Sequence, residues 1–198
     1  MYDAWLGSYD RRVPGYRAVV FDFFGTLTHA IQRGPQHTRV ARLLGCDPGE
    51  FTRLLNRSFF ARAQGRYGSA ESTLRWVCGQ LGTSPPADLM RYACAVRVDA
   101  IRADTRLRAA AVPVLRSLRE QGLRVALVSD CGHELPVILP TLPIARLLDA
   151  VVLSVDIGHC KPHPAMYLTA CRRLGVAPGE CLYVGDGGSH ELTGAVST

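Results

Sequence analysis

Two hydrophobic rhythms divide the chain, and the places where one gives way to the other set the order of its elements. Arg17 to Asp22 is the first strand: the apolar run Val19-Val20-Phe21 halts at a carboxylate, and Gly25-Thr26 follows as a turn. A continuous apolar run bounded in this way predicts a strand buried on both faces of a parallel sheet. From residue 30 to 105 the apolar spacing lengthens to three and four. Val40, Leu43 and Leu44 begin one helical face, and Phe51, Leu54, Leu55 and Phe59 continue another. Asp47-Pro48-Gly49-Glu50 has the chemistry of a helix start: a capping aspartate, a proline at the first helical position, and an acid where a capping box places it. Gly65 and Gly82 read as stops, and Ser84-Pro85 opens a further helix through Leu89, Met90, Ala93, Val96 and Ile101. The segment predicts a bundle of about four helices.

After Leu107 helices and strands alternate. Val112, Leu115 and Leu118 share a helix ended by Gly122, and Arg124 to Ser129 is a strand. Val151 to Val155 is the next strand, Pro164 to Leu174 a helix ended by Gly175, and Cys181 to Asp186 a fourth strand. Alternation of this kind predicts an α/β fold, a doubly wound, Rossmann-like parallel sheet with right-handed crossovers. Residues 1–29 and 106–198 then form the core, and 30–105 a helical insertion placed to cover the carboxyl ends of the strands. A helix begins near Glu191 and the chain stops at Thr198, so the expected sheet lacks the C-terminal strand that such folds add next.

Composition narrows the classes. With 198 residues, 47% of them hydrophobic, the chain can bury a real core as one domain or one domain with an insertion. No apolar run approaches the ~20 residues that span a bilayer. Met1 to Gly15 is polar and turn-rich, with no secretory signal. The seven cysteines are odd in number and form no Cys-x-x-Cys pair. They predict reduced thiols in a cytoplasmic protein, with Cys46, Cys78, Cys94, Cys171 and Cys181 acting as small hydrophobes.

The net charge of +6 is unevenly placed, with eleven arginines against six acids between Ala30 and Thr105. The arginines are scattered through helical sequence without a basic run or interleaved aromatics, which disfavours nucleic acid as a partner. Attraction of a small anionic substrate and a merely solvated surface are both open readings. Of 23 basic residues the only lysine is Lys161, in Gly158-His159-Cys160-Lys161-Pro162-His163. In a chain so biased toward arginine, a lone lysine marks a place where a compact ammonium is needed, a leftover surface lysine being the alternative.

Asp22, Ser129, Lys161 and Asp186 fall at or just beyond strand ends, which a parallel sheet brings to one side. A carboxylate nucleophile, a hydroxyl, an ammonium and a second carboxylate make a coherent phosphoryl-transfer set. In Asp22-Phe23-Phe24-Gly25-Thr26-Leu27, Val128-Ser129-Asp130, Lys161-Pro162 and Gly185-Asp186-Gly187-Gly188-Ser189-His190-Glu191 the chain resembles the haloacid dehalogenase-like (HAD) hydrolase superfamily. The resemblance covers nearly the whole chain, and the helical insertion matches that family's cap.

The resemblance implies roles. Asp22 is the nucleophile that forms a covalent aspartyl intermediate. Asp22, Asp186 and the backbone carbonyl of Phe24 hold Mg²⁺, with Glu191 supporting the metal through water. A first-turn helix acid such as Glu191 is also favoured by the helix dipole alone. Ser129 and backbone N–H groups near Phe23 and Phe24 bind the phosphoryl oxygens, Lys161 neutralises charge, and Thr26 assists proton handling or turn geometry. Asp130 stands where the family more often has asparagine.

One position departs from the phosphatases of the family, which carry a second aspartate two residues after the nucleophile. Here it is Phe24, which cannot transfer a proton. Phosphonate-cleaving relatives need a cap lysine, and the single lysine is already assigned to the core. Metal-free 2-haloacid dehalogenases have an aromatic residue at this position, and the arginine-rich insertion fits them, but their fourth motif does not resemble Gly185-Asp186-Gly187-Gly188-Ser189. The sequence therefore predicts an Mg²⁺-dependent hydrolase of a small phosphate ester. A dehalogenase or a catalytically weak phosphate- or metal-binding protein is the alternative, and oligomeric state is not indicated.

Overall fold

The computed structural model of the chain describes residues 15–198. The polar segment expected to lack a secretory signal lies almost wholly outside them. Four parallel strands, β1 (Ala18–Phe21), β2 (Arg124–Ser129), β3 (Ala150–Leu153) and β4 (Cys181–Val184), lie in the order β3-β2-β1-β4. The chain steps from β1 to β2 to β3 and then crosses back to the far side of β1. That reversal opens a crevice at the carboxyl ends of the strands, where α/β sheets bind ligands.

Each face of the sheet is closed by helices. Val19, Phe21, Val125 and Leu127 pack with Ala111 and Leu115 of α6 (Ala111–Glu120). Ala18, Val20, Ala126, Val128 and Val152 pack on Met166, Ala170 and Leu174 of α9 (Pro164–Leu174). Alternation along each strand sends successive residues to opposite layers, so a strand buried on both sides reads as one apolar run. Between β2 and β3 lies α7 (Glu134–Ile138), after β3 comes α8 (Ser154–Ile157), and α10 (Glu191–Val196) follows β4.

Residues between β1 and α6 form five helices: α1 (Pro35–Leu43), α2 (Pro48–Arg57), α3 (Phe59–Ala63), α4 (Ala70–Gln80) and α5 (Ala87–Asp104). They enclose an apolar cluster of their own, which includes Val40, Leu44, Phe51, Leu54, Leu74, Val77, Met90 and Ala93. The segment leaves and rejoins the core at one place. There Thr28 bridges Leu107, the His29 N–H donates to Arg106 O (2.9 Å), and the Arg108 N–H donates to Leu27 O (2.9 Å).

Several boundaries differ from expectation for local reasons. The single face expected from Phe51 to Phe59 is divided at Ser58. The Ser58 hydroxyl donates to Leu54 O (2.6 Å), and the Arg62 guanidinium donates to Leu55 O (2.7 Å), so side chains satisfy carbonyls at the end of α2. Asp47 caps α2 by accepting the Glu50 N–H (2.9 Å), but the Glu50 side chain accepts from Arg53 rather than closing a capping box. Helix α5 starts at Ala87 rather than at Ser84-Pro85, because a residue preceding proline is held extended and Pro86 follows Pro85. The third strand ends at Leu153, short of the expected Val155. Ser154 Oγ accepts the Cys131 N–H (2.9 Å) and ties the loops after β2 and β3 together.

Candidate active site

Asp22 is the first residue beyond β1, and its approach is set by a tight turn. Phe24 (φ −76°, ψ 121°) and Gly25 (φ 91°, ψ −21°) have the angles of the two central residues of a type II turn, which requires a positive φ at its second position. Glycine is needed there a second time over: a Cβ on Gly25 would stand 2.1 Å from Asp186 Oδ2. The turn after β1 and the loop after β4 are thus in direct contact, and Asp22 and Asp186 share a site.

Lys161 lies at the centre of the buried part of that site, only 5% exposed. Its Nζ donates to Asp22 Oδ1 and to Glu191 Oε2 (2.6 Å). Asp130 Oδ1 accepts the Lys161 backbone N–H (2.9 Å) and so fixes the loop that carries it. Burial alone would lower the Lys161 ammonium, but Asp22, Glu191 and Asp130 around it outweigh that and hold it above its ordinary value. Burial pushes the Asp22 carboxyl up despite the opposing charge of Lys161. Asp130 is pushed up to about 6, by burial first, against the Lys161 N–H and charge. A surface lysine is ruled out.

Glu191 is 1% exposed, and both of its oxygens are engaged. Oε1 accepts the Gly187 N–H (3.0 Å), while Oε2 accepts from Lys161 and from the Tyr183 hydroxyl (2.8 Å). These bonds anchor the residue, whatever the helix dipole adds. Burial and then the bond to Glu191 push the Tyr183 hydroxyl well above the usual phenol range, so it remains a donor. Sequence reasoning missed Tyr183. Its signal was a hydroxyl-bearing residue within an otherwise apolar strand, two residues ahead of Gly185.

The sequence-predicted residues do not all meet. Asp22, Phe24, Lys161, Asp186 and Glu191 line one cavity of about 330 Å³, together with Asp130. Ser129 and Thr26 do not line it. Strand alternation gives Ser129 the face of Val125 and Leu127, and its hydroxyl is completely buried. Among the described residues Ser129 Oγ and Thr26 Oγ1 have no hydrogen-bond partner. The Phe23 ring is buried and meets Phe24 edge to face at 4.8 Å, so only its backbone can serve a ligand. The other wall of the cavity comes from the helical segment: Arg33, His37, Phe59, Arg62, Arg97 and Ile101. Sequence reasoning placed the arginines there only as a scattered excess and passed over His37, which is buried with Nε2 2.9 Å from Asp104 Oδ2.

Asp22, Asp186 and Glu191 form an oxygen cluster able to hold a metal ion, with one oxygen from each lying within 4.8 Å of the others. The donors fit a hard divalent cation, which prefers carboxylate and carbonyl oxygen. Asp22 Oδ2 is buried with no partner among the described residues, which leaves a carboxylate oxygen available for such an ion.

A parallel α/β sheet with a buried carboxylate beyond its first strand, held by an ammonium and faced by a second carboxylate, has the donors and charges of a hydrolase centre. The family model described as haloacid dehalogenase-like hydrolase matches residues 16–197, and the chain belongs to that family of hydrolases. It is 29% identical over 184 residues to a glyceraldehyde 3-phosphate phosphatase of Methanopyrus kandleri, covering 90% of this chain and 79% of that protein. It is also 29% identical over 179 residues to a phosphoglycolate phosphatase of Nitrosospira multiformis, covering 86% of this chain and 74% of that one. Among solved structures, an L-2-haloacid dehalogenase superposes with a TM-score of 0.60 at 25% identity, over 92% of this chain and 82% of that one. Among the described residues no helix is long and apolar enough to cross a membrane.

Proposed function

We propose that this hydrolase cleaves small phosphate monoesters, with Asp22 as the nucleophile and residues 30–105 acting as a cap over the sheet core. One Asp22 oxygen attacks phosphorus as the bond to the ester oxygen breaks. Water then attacks the aspartyl phosphate, which releases inorganic phosphate and restores the carboxylate. Lys161 orients the Asp22 carboxylate through Oδ1 and balances charge near the phosphoryl oxygens. Asp22 Oδ2, Asp186 and the Phe24 carbonyl would hold Mg²⁺, with Glu191 in support, and the ion would supply neutralisation of phosphoryl charge. Backbone N–H groups at Phe23 and Phe24 are donors for the remaining oxygens.

The observation that carries this reading is the oxygen cluster of Asp22, Asp186 and Glu191 beside an unpartnered Asp22 oxygen. A displacement of halide from carbon has no need of a cation there. The names of the relatives at 29% identity point the same way. A second reading, hydrolytic dehalogenation, is favoured by one feature: the aromatic Phe24 lines the cavity where a phosphatase of this family has an acid.

The test is phosphate release from an aryl phosphate with and without Mg²⁺, run beside chloride release from 2-chloropropionate. Mg²⁺-dependent phosphate release without chloride supports the phosphatase. Chloride release that EDTA does not affect overturns it in favour of the dehalogenase.

A further inference from the structure

A poor leaving group departs from phosphorus only if it receives a proton, and the water that then attacks an aspartyl phosphate must lose one. A single side chain serving both steps must be protonated before the first. Few groups around the cavity qualify. Lys161 is held charged between two carboxylates, both Glu191 oxygens are engaged, and Asp186 accepts the Gly188 N–H (2.9 Å). On the opposite wall burial would raise the Glu134 carboxyl, but Arg97 beside it overrides burial and keeps it ionised, below the usual range. His37 is bonded to Asp104 through Nε2. Burial lowers it against the pull of Asp104, so it is neutral at pH 7 and a poor acid.

Asp130 is the exception. Ser129 turns beneath the sheet, and the next residue lines the cavity instead. Its Oδ1 accepts the Lys161 backbone N–H (2.9 Å), which fixes the carboxyl against that loop. Its Oδ2 is buried and has no hydrogen-bond partner among the described residues. An oxygen so placed is costly when charged and, when protonated, is a donor without an acceptor until a molecule enters the cavity. Burial raises the carboxyl to about 6, with Asp22 and Glu191 adding to it and the Lys161 N–H and ammonium opposing. The other titratable neighbours from the core, Cys131, Cys160 and Tyr167, are pushed up by burial and stay neutral. At neutral pH a minor fraction of Asp130 carries the proton, which holds the rate below that of a better matched acid. The cavity that has Phe24 in place of an acid thus has a carboxyl at Asp130, where an amide is more usual.

We propose that Asp130 is the general acid and base of this site, through Oδ2, and takes over the proton transfer that Phe24 cannot perform. This rests on the phosphate-ester reading above and extends the substrates to alkyl phosphates, whose leaving groups are poor. In the first step Asp22 bonds to phosphorus as the bond to the ester oxygen breaks. The proton on Asp130 Oδ2 passes to that oxygen, and an alcohol leaves. In the second step water attacks phosphorus and the bond from phosphorus to the Asp22 oxygen breaks. A water proton passes to Asp130 Oδ2, which returns both carboxyl groups to their starting states.

The test compares an alkyl with an aryl phosphate, in Mg²⁺, for wild type and Asp130→Asn. The variant keeps the acceptor for the Lys161 N–H but cannot ionise. Its kcat/KM on the alkyl ester should fall ~10²-fold, and on the aryl ester, whose leaving group needs no proton, by ~3-fold at most. With the aryl ester the variant should give a burst of leaving group and hold the phosphoryl group on Asp22, seen as a covalent adduct by mass spectrometry, because water has lost its base. The wild-type alkyl rate should fall as pH rises through the Asp130 titration, and the variant should lack that limb. An Asp130 that only fixes the Lys161 loop would lower both esters together with no adduct, which overturns the assignment. An alkyl rate within threefold of wild type overturns it as well. Asp130→Ser stands in if Asp130→Asn does not fold. Phosphate release by the wild type from the aryl ester alone overturns the assignment and leaves the phosphate-ester reading in place, whereas release from neither ester sinks both.

Discussion

The sheet core and the helical segment that covers it handle charge in opposite ways. The core gathers Asp22, Glu191 and Asp130 around one buried lysine, all from beyond the carboxyl ends of different strands. In the helical segment most ion pairs are near neighbours on exposed helix faces: Arg53 with Glu50, Arg75 with Glu71, Arg91 with Asp88, and Arg102 with Asp99. Exposed pairs of that kind are screened by water and add little to stability. Taking one partner from a buried cluster costs ~3–5 kcal/mol, because it strands the others without compensation. Precision is therefore concentrated where bonds are to be made and broken, while the covering helices keep a solvated exterior and turn only a few arginines inward.

The sharpest way to break that division is at the nucleophile. Asp22→Asn keeps the shape and an acceptor for Lys161 but removes the attacking carboxylate. Turnover should fall ~10⁴-fold or more while the melting curve stays cooperative. Activity within tenfold of wild type would take Asp22 out of the mechanism.

Lys161→Arg comes next. It keeps the charge but puts a larger planar fork where a point ammonium fits between two carboxylates, and a loss of ~10²-fold in kcat is expected. A near-normal rate would show that the core tolerates a change only a surface should tolerate.

Phe24→Asp tests the junction of the two regions, since Phe24 lines the cavity and packs on Phe23. A restored acid–base group should raise the rate on alkyl phosphates by ~10-fold or more, with little gain on aryl phosphates whose leaving groups need no proton. A folded variant with no alkyl gain would move the balance toward dehalogenation or toward binding without turnover.

The smallest effect concerns pH. Asp130 is raised to about 6 from 3.8, so its contribution to stability is complete below the unfolded value and is lost as pH rises through about 6. Asp130→Asn keeps the acceptor for the Lys161 N–H and cannot ionise. In EDTA, wild type and variant should melt alike near pH 4, and the variant should melt a few degrees higher at about pH 8. Parallel curves across the range would show that Asp130 does not titrate against the fold.

Legibility followed the range of the forces involved. Strand β2 and helix α9 were readable to the residue, because apolar periodicity and a following glycine are local signals. So were the Asp47 cap and the stops at Gly65 and Gly82. The break at Ser58 was hidden, since it depends on where the Arg62 side chain folds back. In the site, Asp22, Lys161 and Asp186 were legible because a parallel sheet collects its strand ends on one side. Ser129 shows the limit: being at a strand end does not decide whether a side chain reaches the cavity or turns beneath it. Tyr183 and the inward-facing Arg62 were illegible because their importance lies in partners supplied by other elements.

Asp22 and Lys161 are 139 residues apart along the chain, and the bond between them has a consequence for how the molecule acquires activity. No local fragment contains the site. Closing so long a loop is entropically late, whereas the turns of each helix join residues three and four apart and can form early. On refolding, helical signal should return ahead of catalytic rate, and the rate should appear only once the far-side strand β4 has docked beside β1. Enzyme activity is then a gauge of complete assembly, and partly assembled chains, however helical, are silent in it.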